Sequence, residues 1–582
     1  MQNYDVSIRI SGANGDGIDS IGFMIGKSLA RNGLYIFGYR GYQSVIRGGS
    51  VWYQIRASTE KLYTHGEVID ILISFDLDGI KNSLGFVKDG GIVIYDSKTN
   101  GTDELAASSK RNIRFVKLPL LDSAVKSGGD IYRNTVAFGI LSKIVGIKED
   151  FVIKSIADRF KKKPGLVTPN VTAAKIGYEL DLGIDTSNFY FGEEGEPKRE
   201  YMLSGNEAIA IGAAAAGCKF YAAYPMTPAS SILDWFASHE NHGILYKQPE
   251  DEITAINMTI GAASAGVRAM CGTSGGGFSL MVEGLGLAGI LEVPIVVVEA
   301  QRSGPSTGLP TKTEQGDLLF VMNASQGEFP RVIIAPRNVE ECFYETGTAF
   351  NIAEKYQCPV IILSDLFLSE HIESVNIEPE KVSIERGKIA NEKTDGEFKR
   401  YLITEDGVSP RAIPGTKDLA FVAPSDDHDE YGNLITDVFV GTPEAVELRR
   451  KMHSKRMRKL ETMVKNGDIK MPEVIGEGAG AYLVAFGSST YACTEAIGLL
   501  KSRGVKVGLI SFSYLHPMDS EKVGALLSGK RLIDVESNYT AQFARLIRMN
   551  TGIDIKERIL RYDGEAFTGE YLCAEVMKML KG

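Results

Sequence analysis

Apolar and polar residues alternate at Val6, Ile8 and Ile10, the period-two pattern of a strand. Gly12, Gly15 and Gly17 then make a glycine-rich turn. An amphipathic helix follows to Arg31 and is stopped by Asn32-Gly33. Between Tyr221 and Gln315 the pattern changes: apolar runs alternate with Gly/Pro/Ser/Thr turns, as when parallel strands deliver polar groups to their carboxyl ends, where open α/β sheets bind ligands. A helix starting near Glu250 would place Ile253, Ile256, Ile260 and Ala263 on one apolar face. The strand Tyr482-Leu483-Val484-Ala485-Phe486 runs into Gly487-Ser488-Ser489-Thr490, and Leu532 to Glu536 reads as a further strand.

Two stretches break this order. Asp181 to Arg199 is charged and poor in apolar period, and reads as a linker. Ile372 to Lys470 is charge-rich and irregular; its Asp427-His428-Asp429-Glu430 reads as a solvated turn, and its basic helix around Lys455-Arg456-Met457-Arg458-Lys459 as a solvated face. The fold class is therefore α/β with several domains: residues 1–180, a linker at 181–199, a parallel-sheet domain at 200–370, an irregular connecting segment at 371–475 and a last α/β domain at 476–582.

Length agrees, since 582 residues exceed one core and suggest three or four domains at roughly 100–200 residues each. A net charge of −10 argues against general nucleic-acid or anionic-membrane binding. No apolar stretch approaches the roughly 20 residues of a membrane span. The start Met1-Gln2-Asn3-Tyr4-Asp5 has no signal core, so a cytoplasmic location is expected. Six scattered cysteines form no C-x-x-C, which leaves no iron–sulfur or zinc ligand set and points to reduced core thiols; no metal site is expected on this chain.

The glycine turn is not a dinucleotide fingerprint. Its spacing is G-x-x-G-x-G, and no Asp or Glu lies between Asp19 and Glu60 to hold a ribose, so a Rossmann dehydrogenase is not supported. Gly15-Asp16-Gly17 opens like a thiamine diphosphate/Mg²⁺ motif, but no Asn occupies residues 40 to 48.

The central blocks carry the chemistry. Tyr224-Pro225-Met226-Thr227-Pro228-Ala229-Ser230-Ser231 puts a capping Thr before a proline, and a helix start of that kind also seats carboxylates. Glu250-Asp251-Glu252, Gly272-Thr273-Ser274-Gly275-Gly276-Gly277 and Gln301-Arg302-Ser303-Gly304-Pro305-Ser306-Thr307-Gly308 follow. Carboxylates and an Arg suit an anionic substrate beside a cofactor that needs an acid.

In order and content these blocks resemble the α subunit of the 2-oxoacid:ferredoxin oxidoreductases (Y-P-I-T-P-S-S, E-x-E, T-S-G-P-G, Q-R-x-G-P-S-T-G-x-P-T). Ser44-Val45-Ile46-Arg47-Gly48-Gly49 is similar to the family's γ subunit, and Gly407-Val408-Ser409-Pro410-Arg411 to another family block, so the resemblance covers nearly the whole chain as a γ–α fusion. It implies a Rossmann-like γ-type domain, a central pyrimidine-type domain of thiamine diphosphate enzymes and a transketolase-like C-terminal domain. The implied reaction is coenzyme A-dependent oxidative decarboxylation of a 2-oxoacid to acyl-CoA and CO₂ with reduction of ferredoxin.

Thiamine diphosphate is the electron sink in such chemistry, activated by a carboxylic acid beside its pyrimidine. The resemblance places that acid at Glu252, with Glu250 as competitor, and Pro225 beside the cofactor. Thr227 and Arg302 would bind the substrate carboxylate. It also implies a separate β subunit carrying thiamine diphosphate, Mg²⁺ and a [4Fe–4S] cluster, in an (αβ)₂ assembly, with coenzyme A as co-substrate and the γ-like domain helping to admit it. Met226, Ala229, Gly276 and Gly316 depart from the family pattern without removing a member of the Thr/Glu/Arg set.

Other readings are a 2-oxoacid dehydrogenase or transketolase-like subunit, for which the γ-like domain has no use, and a non-catalytic scaffold, against which Thr227, Glu252 and Arg302 stand together. Which 2-oxoacid is used stays open. A 2-oxoglutarate enzyme needs a second cation, and Lys312, Arg337 or a partner residue are the candidates. In its γ–α fusion and its Ser44-Val45-Ile46-Arg47-Gly48-Gly49 block the chain resembles the 2-oxoglutarate or broad-range members more than the pyruvate ones.

Overall fold

The computed structural model of the chain describes residues 4–44, 48–191, 195–392 and 397–581. Val45, Ile46 and Arg47 of the γ-like block, and Gly192 to Glu194 of the linker, lie outside the described residues. The chain forms two compact units: Met1–Ser204 with Glu370–Asn376 and Thr568–Gly582, and Gly205–Ser369 with Ile377–Phe567.

The first unit is built on an eight-stranded mixed sheet in the order Arg114–Leu118, Val87–Asp96, Ile69–Ser74, Asp5–Ala13, Ser50–Ser58, Tyr35–Gly41, Ile372–Val375, Tyr201–Ser204. Asp5–Ala13 is central, parallel to Ile69–Ser74 and antiparallel to Ser50–Ser58, so its residues are buried on both faces. Helix Ile18–Arg31 starts at Gly17, whose φ of 74° and closeness to the Asn134 side chain require glycine. Asp16, in the thiamine-like triplet, is engaged within the turn: it accepts the Ala13 N–H at 3.0 Å and pairs with Arg133 at 3.0 Å.

The second unit holds two sheets over a shared apolar core. The larger runs Tyr514–His516, Val332–Ile334, Val360–Asp365, Val296–Gln301, Arg268–Thr273, Cys218–Ala222, Leu245–Lys247, all parallel except the first. The smaller runs Glu473–Ile475, Val507–Phe512, Ala481–Phe486, Leu532–Glu536, Glu557–Leu560. Its strand Val507–Phe512 is followed at once by Tyr514–His516 in the larger sheet, which stitches the two together.

The basic helix is not a solvated face. It spans Pro443–Lys465, with Thr442 capping Ala445 N–H and proline at its first position. Lys455 and Lys459 are fully buried and close on the equally buried Glu292 at 2.6 Å each, while Arg456 pairs with Asp427 at 2.6 Å. Two lysines on one carboxylate, with Lys459 also donating to Gln357 O at 3.0 Å, satisfy charges that burial would otherwise make very costly. These pairs fasten the connecting segment to the parallel-sheet core. His428 is likewise not a solvated turn. It is buried against Tyr401, ring centroids 4.0 Å apart, and its Nδ1 meets Asp426 O at 2.8 Å.

All six cysteines are buried, and none is in a disulfide. Among the described residues no helix is long and apolar enough to cross a membrane.

Candidate active site

Three neighbouring strands end in the three polar turns: Val296–Gln301 beside Arg268–Thr273 beside Cys218–Ala222. Parallel pairing in register brings those turns to one edge of the sheet.

Asp251 caps the helix Glu252–Ser264, its carboxylate accepting Thr254 N–H at 2.8 Å, which makes Glu252 the first helical residue. Ile256, Ile260 and Ala263 face the core, but Ile253 is 48% exposed and does not belong to the apolar face expected of it. Glu250 is exposed, whereas Glu252 is 3% exposed. Oε1 of Glu252 is buried with no hydrogen-bond partner among the described residues. Burial holds its carboxyl above the usual range, opposed by its own backbone N–H and reinforced by Asp251.

Against it lies the start of helix Gly275–Ile290. A Cβ at Gly277 would overlap Thr273 Oγ1 and Glu252 Oε1, so only glycine lets the carboxyl come this close. Ser274, which precedes this helix, is buried, its Oγ also without a partner and making no cap bond.

Arg302 and Thr227 are brought together: Arg302 Nη1 donates to the Thr227 carbonyl at 2.8 Å. Thr227 is not the helix cap. The following helix is Ser230–Ser238 with Ala229 at the cap position, and Thr227 and Pro228 sit in the preceding turn, held by Asn206 Nδ2 on Pro228 O at 2.7 Å and on Ser231 Oγ at 2.8 Å. Pro225 and Tyr224 are exposed on the same turn.

A cleft of about 570 Å³ opens beside these residues, lined by Met226, Gly275, Gly276 and Ser279, Arg302, the loop from Gly304 to Thr307, Asp317 and Phe320. Glu252 does not line it; Glu252 rests against Thr273 and Gly277 of the turn that forms its wall.

The two candidate cations for a distal carboxylate are engaged elsewhere. Arg337 binds Glu341 at 2.8 Å, Glu473 at 2.6 Å and Ser511 Oγ at 2.7 Å, and Lys312 pairs with Glu565. Neither lines the cleft. Sequence reading also missed two carboxyls, Asp317 in the cleft and Glu299 buried behind it. Glu299 shows in the sequence as an acid inside the apolar run Val296-Val297-Val298-Glu299-Ala300; Asp317 carries no such sign.

Residues 211–446 match the family described as "Pyruvate flavodoxin/ferredoxin oxidoreductase, thiamine diP-bdg", and residues 7–180 match "Pyruvate ferredoxin/flavodoxin oxidoreductase". The 2-oxoacid:ferredoxin oxidoreductase subunit alpha of Saccharolobus solfataricus is 34% identical over 96% of this chain and 95% of its own length. The 2-oxoglutarate oxidoreductase subunit KorA of Mycobacterium tuberculosis is 29% identical over 99% of this chain and 92% of its own. Among solved structures, the 2-oxoglutarate:ferredoxin oxidoreductase of Magnetococcus marinus, with 2-oxoglutarate, coenzyme A and succinyl-CoA bound, superposes with a TM-score of 0.90 at 32% identity, covering 99% of both chains.

Proposed function

The chain belongs to the α subunits of the 2-oxoacid:ferredoxin oxidoreductases, and from that membership we propose how its residues divide the work. The reaction is oxidative decarboxylation of a 2-oxoacid, with coenzyme A taking the acyl group and ferredoxin the electrons.

The observation that carries the assignment of roles is Glu252: a buried carboxyl with one oxygen unpartnered, in a recess that only Gly277 leaves open. A buried polar atom without a partner is costly, and a ligand nitrogen would satisfy it. The unpartnered oxygen therefore suits a heteroaromatic cofactor that needs an acid at its ring nitrogen. When bound, thiamine diphosphate supplies the electron sink for decarboxylation. Glu252, held above the usual carboxylate range, is suited to share a proton at that nitrogen. Pro225, on the adjacent turn, is the second residue we assign to the cofactor.

Arg302 lines the cleft and Thr227 is fastened to it, so this pair is the seat for the 2-oxoacid carboxylate. With Arg337 and Lys312 engaged elsewhere, the cation that a 2-oxoglutarate-type or broad-range enzyme needs for a distal carboxylate comes from another subunit. Scattered, buried cysteines supply no cluster ligation, and we assign Mg²⁺ and a [4Fe–4S] cluster to a separate β subunit in an (αβ)₂ assembly. Six buried cysteines without a disulfide support our assignment of the enzyme to a reducing compartment, the cytoplasm.

Calorimetric titration of the α–β complex with thiamine diphosphate tests the central role. Glu252→Gln is expected to weaken binding and to lower turnover by roughly 10²–10⁴-fold. Unchanged affinity and turnover would remove Glu252 from the cofactor site.

A further inference from the structure

Glu299 sits in strand Val296–Gln301, fully buried among valines and alanine. Neither of its oxygens receives a hydrogen bond from an N–H or O–H among the described residues. A carboxylate so placed has nothing to hold its charge, so it takes up a proton. The group it meets is a second carboxyl, Asp317, which lines the cleft with Arg302.

Asp317 is anchored from both sides. Its N–H donates to Gln301 Oε1 at 3.0 Å, and Gln301 Nε2 donates to Ser364 O at 3.1 Å. Across the cleft wall, any Cβ at position 275 would come within 2.5 Å of Asp317 Oδ2, so the helix start abuts this carboxyl only as Gly275.

The surroundings of the pair are mostly acidic. Glu314 from the preceding loop acts on Asp317, and Asp365 from the neighbouring strand acts on Glu299. Asp365 is itself held by Ser488 Oγ at 2.6 Å and Leu368 N–H at 3.0 Å. From the helix side the cleft receives Gly275, Gly276 and Ser279, and from the loop side Arg302. Two facing carboxyls in such a place hold a proton between them, Glu299 donating and Asp317 accepting. Burial and Glu314 push the Asp317 carboxyl up to about 6, and burial with Asp317 pushes Glu299 well above the usual range.

We propose that Asp317, seated on a protonated Glu299, is a substrate-facing residue that sets the charge of the 2-oxoacid cleft. Protonated, it adds no negative charge to the cleft that Arg302 lines; ionised, it repels the substrate carboxylate. The proposal rests on the reading of Arg302 as the carboxylate seat.

The test uses the α–β complex. As pH rises from 5 to 7, wild-type KM for the 2-oxoacid is expected to rise on the order of threefold to tenfold, with kcat changing differently because it follows other groups. Asp317→Asn is expected to flatten that rise and hold KM near its low-pH value, whereas a merely structural role would leave the pH profile of KM in place. Glu299→Gln keeps a neutral donor, and should keep the rise.

Difference infrared spectroscopy of wild type against Glu299→Gln at pH 7 is expected to show loss of one protonated-carboxyl band. That comparison decides even where Asp317→Asn does not assemble. No such band, or a KM rise that persists in Asp317→Asn while Arg302→Ala raises KM, overturns the proposal alone. An unchanged KM in Arg302→Ala overturns the carboxylate seat and the proposal with it.

Discussion

Gly277 is a glycine because Glu252 stands where its side chain would be: a Cβ there overlaps the carboxyl Oε1. The acid we assign to the cofactor is thus positioned by the absence of an atom on a different helix. Gly277→Ala is expected to fold, with overpacking costing about 1–3 kcal/mol, but to push Glu252 out of its recess. Turnover should fall at least as far as thiamine diphosphate affinity. Melting temperature and cofactor titration of the same variant separate the two effects.

Glu252→Gln keeps shape and removes the acid. Loss of a positioned proton-transfer group lowers kcat by roughly 10²–10⁴-fold, while KM for the 2-oxoacid, which we assign to Arg302, should change little. Steady-state kinetics with a viologen acceptor read both constants.

Arg302→Ala removes the cation beside the Thr227 carbonyl. A hydrogen bond to a charged group contributes about 1.5–3 kcal/mol, so kcat/KM should drop on the order of 10- to 100-fold. Arg302→Lys should recover only part of it, since lysine has no planar fork.

Glu292→Gln leaves Lys455 and Lys459 buried without a counter-charge. Breaking a buried pair in this way costs about 3–5 kcal/mol. Substantial loss of thermal stability is expected, and differential scanning calorimetry of the complex measures it.

Asp317 carries a stability signature as well. Its carboxyl is raised from 3.8 to about 6 on folding, so the folded chain binds the proton more tightly than the unfolded one. That contribution is fully present below about pH 4 and is lost as pH rises through about 6, by about 1–3 kcal/mol. Melting temperature of wild type should therefore fall relative to Asp317→Asn over this window; parallel profiles would contradict the shift.

Which parts of this were legible in the sequence follows from where each signal is local. Val6, Ile8 and Ile10, and the turn closed by Asn32-Gly33, announce their strand and helix because period and punctuation lie within a few residues. Glu252 was singled out by the resemblance of its block to the family's, and the Asp251 cap at the adjacent position makes it the first helical residue.

Ile372–Val375 pairs with Tyr35–Gly41 and Tyr201–Ser204, far away in sequence, and nothing nearby marks it. The Lys455 helix looks solvated in sequence because its partner, Glu292, lies more than 160 residues earlier. Thr227-Pro228 has the composition of a helix start, yet Asn206 holds it as a turn and the helix begins at Ser230. Glu299 and Asp317 were missed because neither belongs to a motif; only the sheet brings them together.

The most direct test of the whole account is viologen reduction by this chain purified with the β subunit we propose for it, across a panel of 2-oxoacids with and without coenzyme A. Reduction that requires both a 2-oxoacid and coenzyme A in the wild type, and is lost in Glu252→Gln, is the predicted result. No reduction by a complex that holds thiamine diphosphate and an iron–sulfur cluster, or full activity in Glu252→Gln, would contradict it.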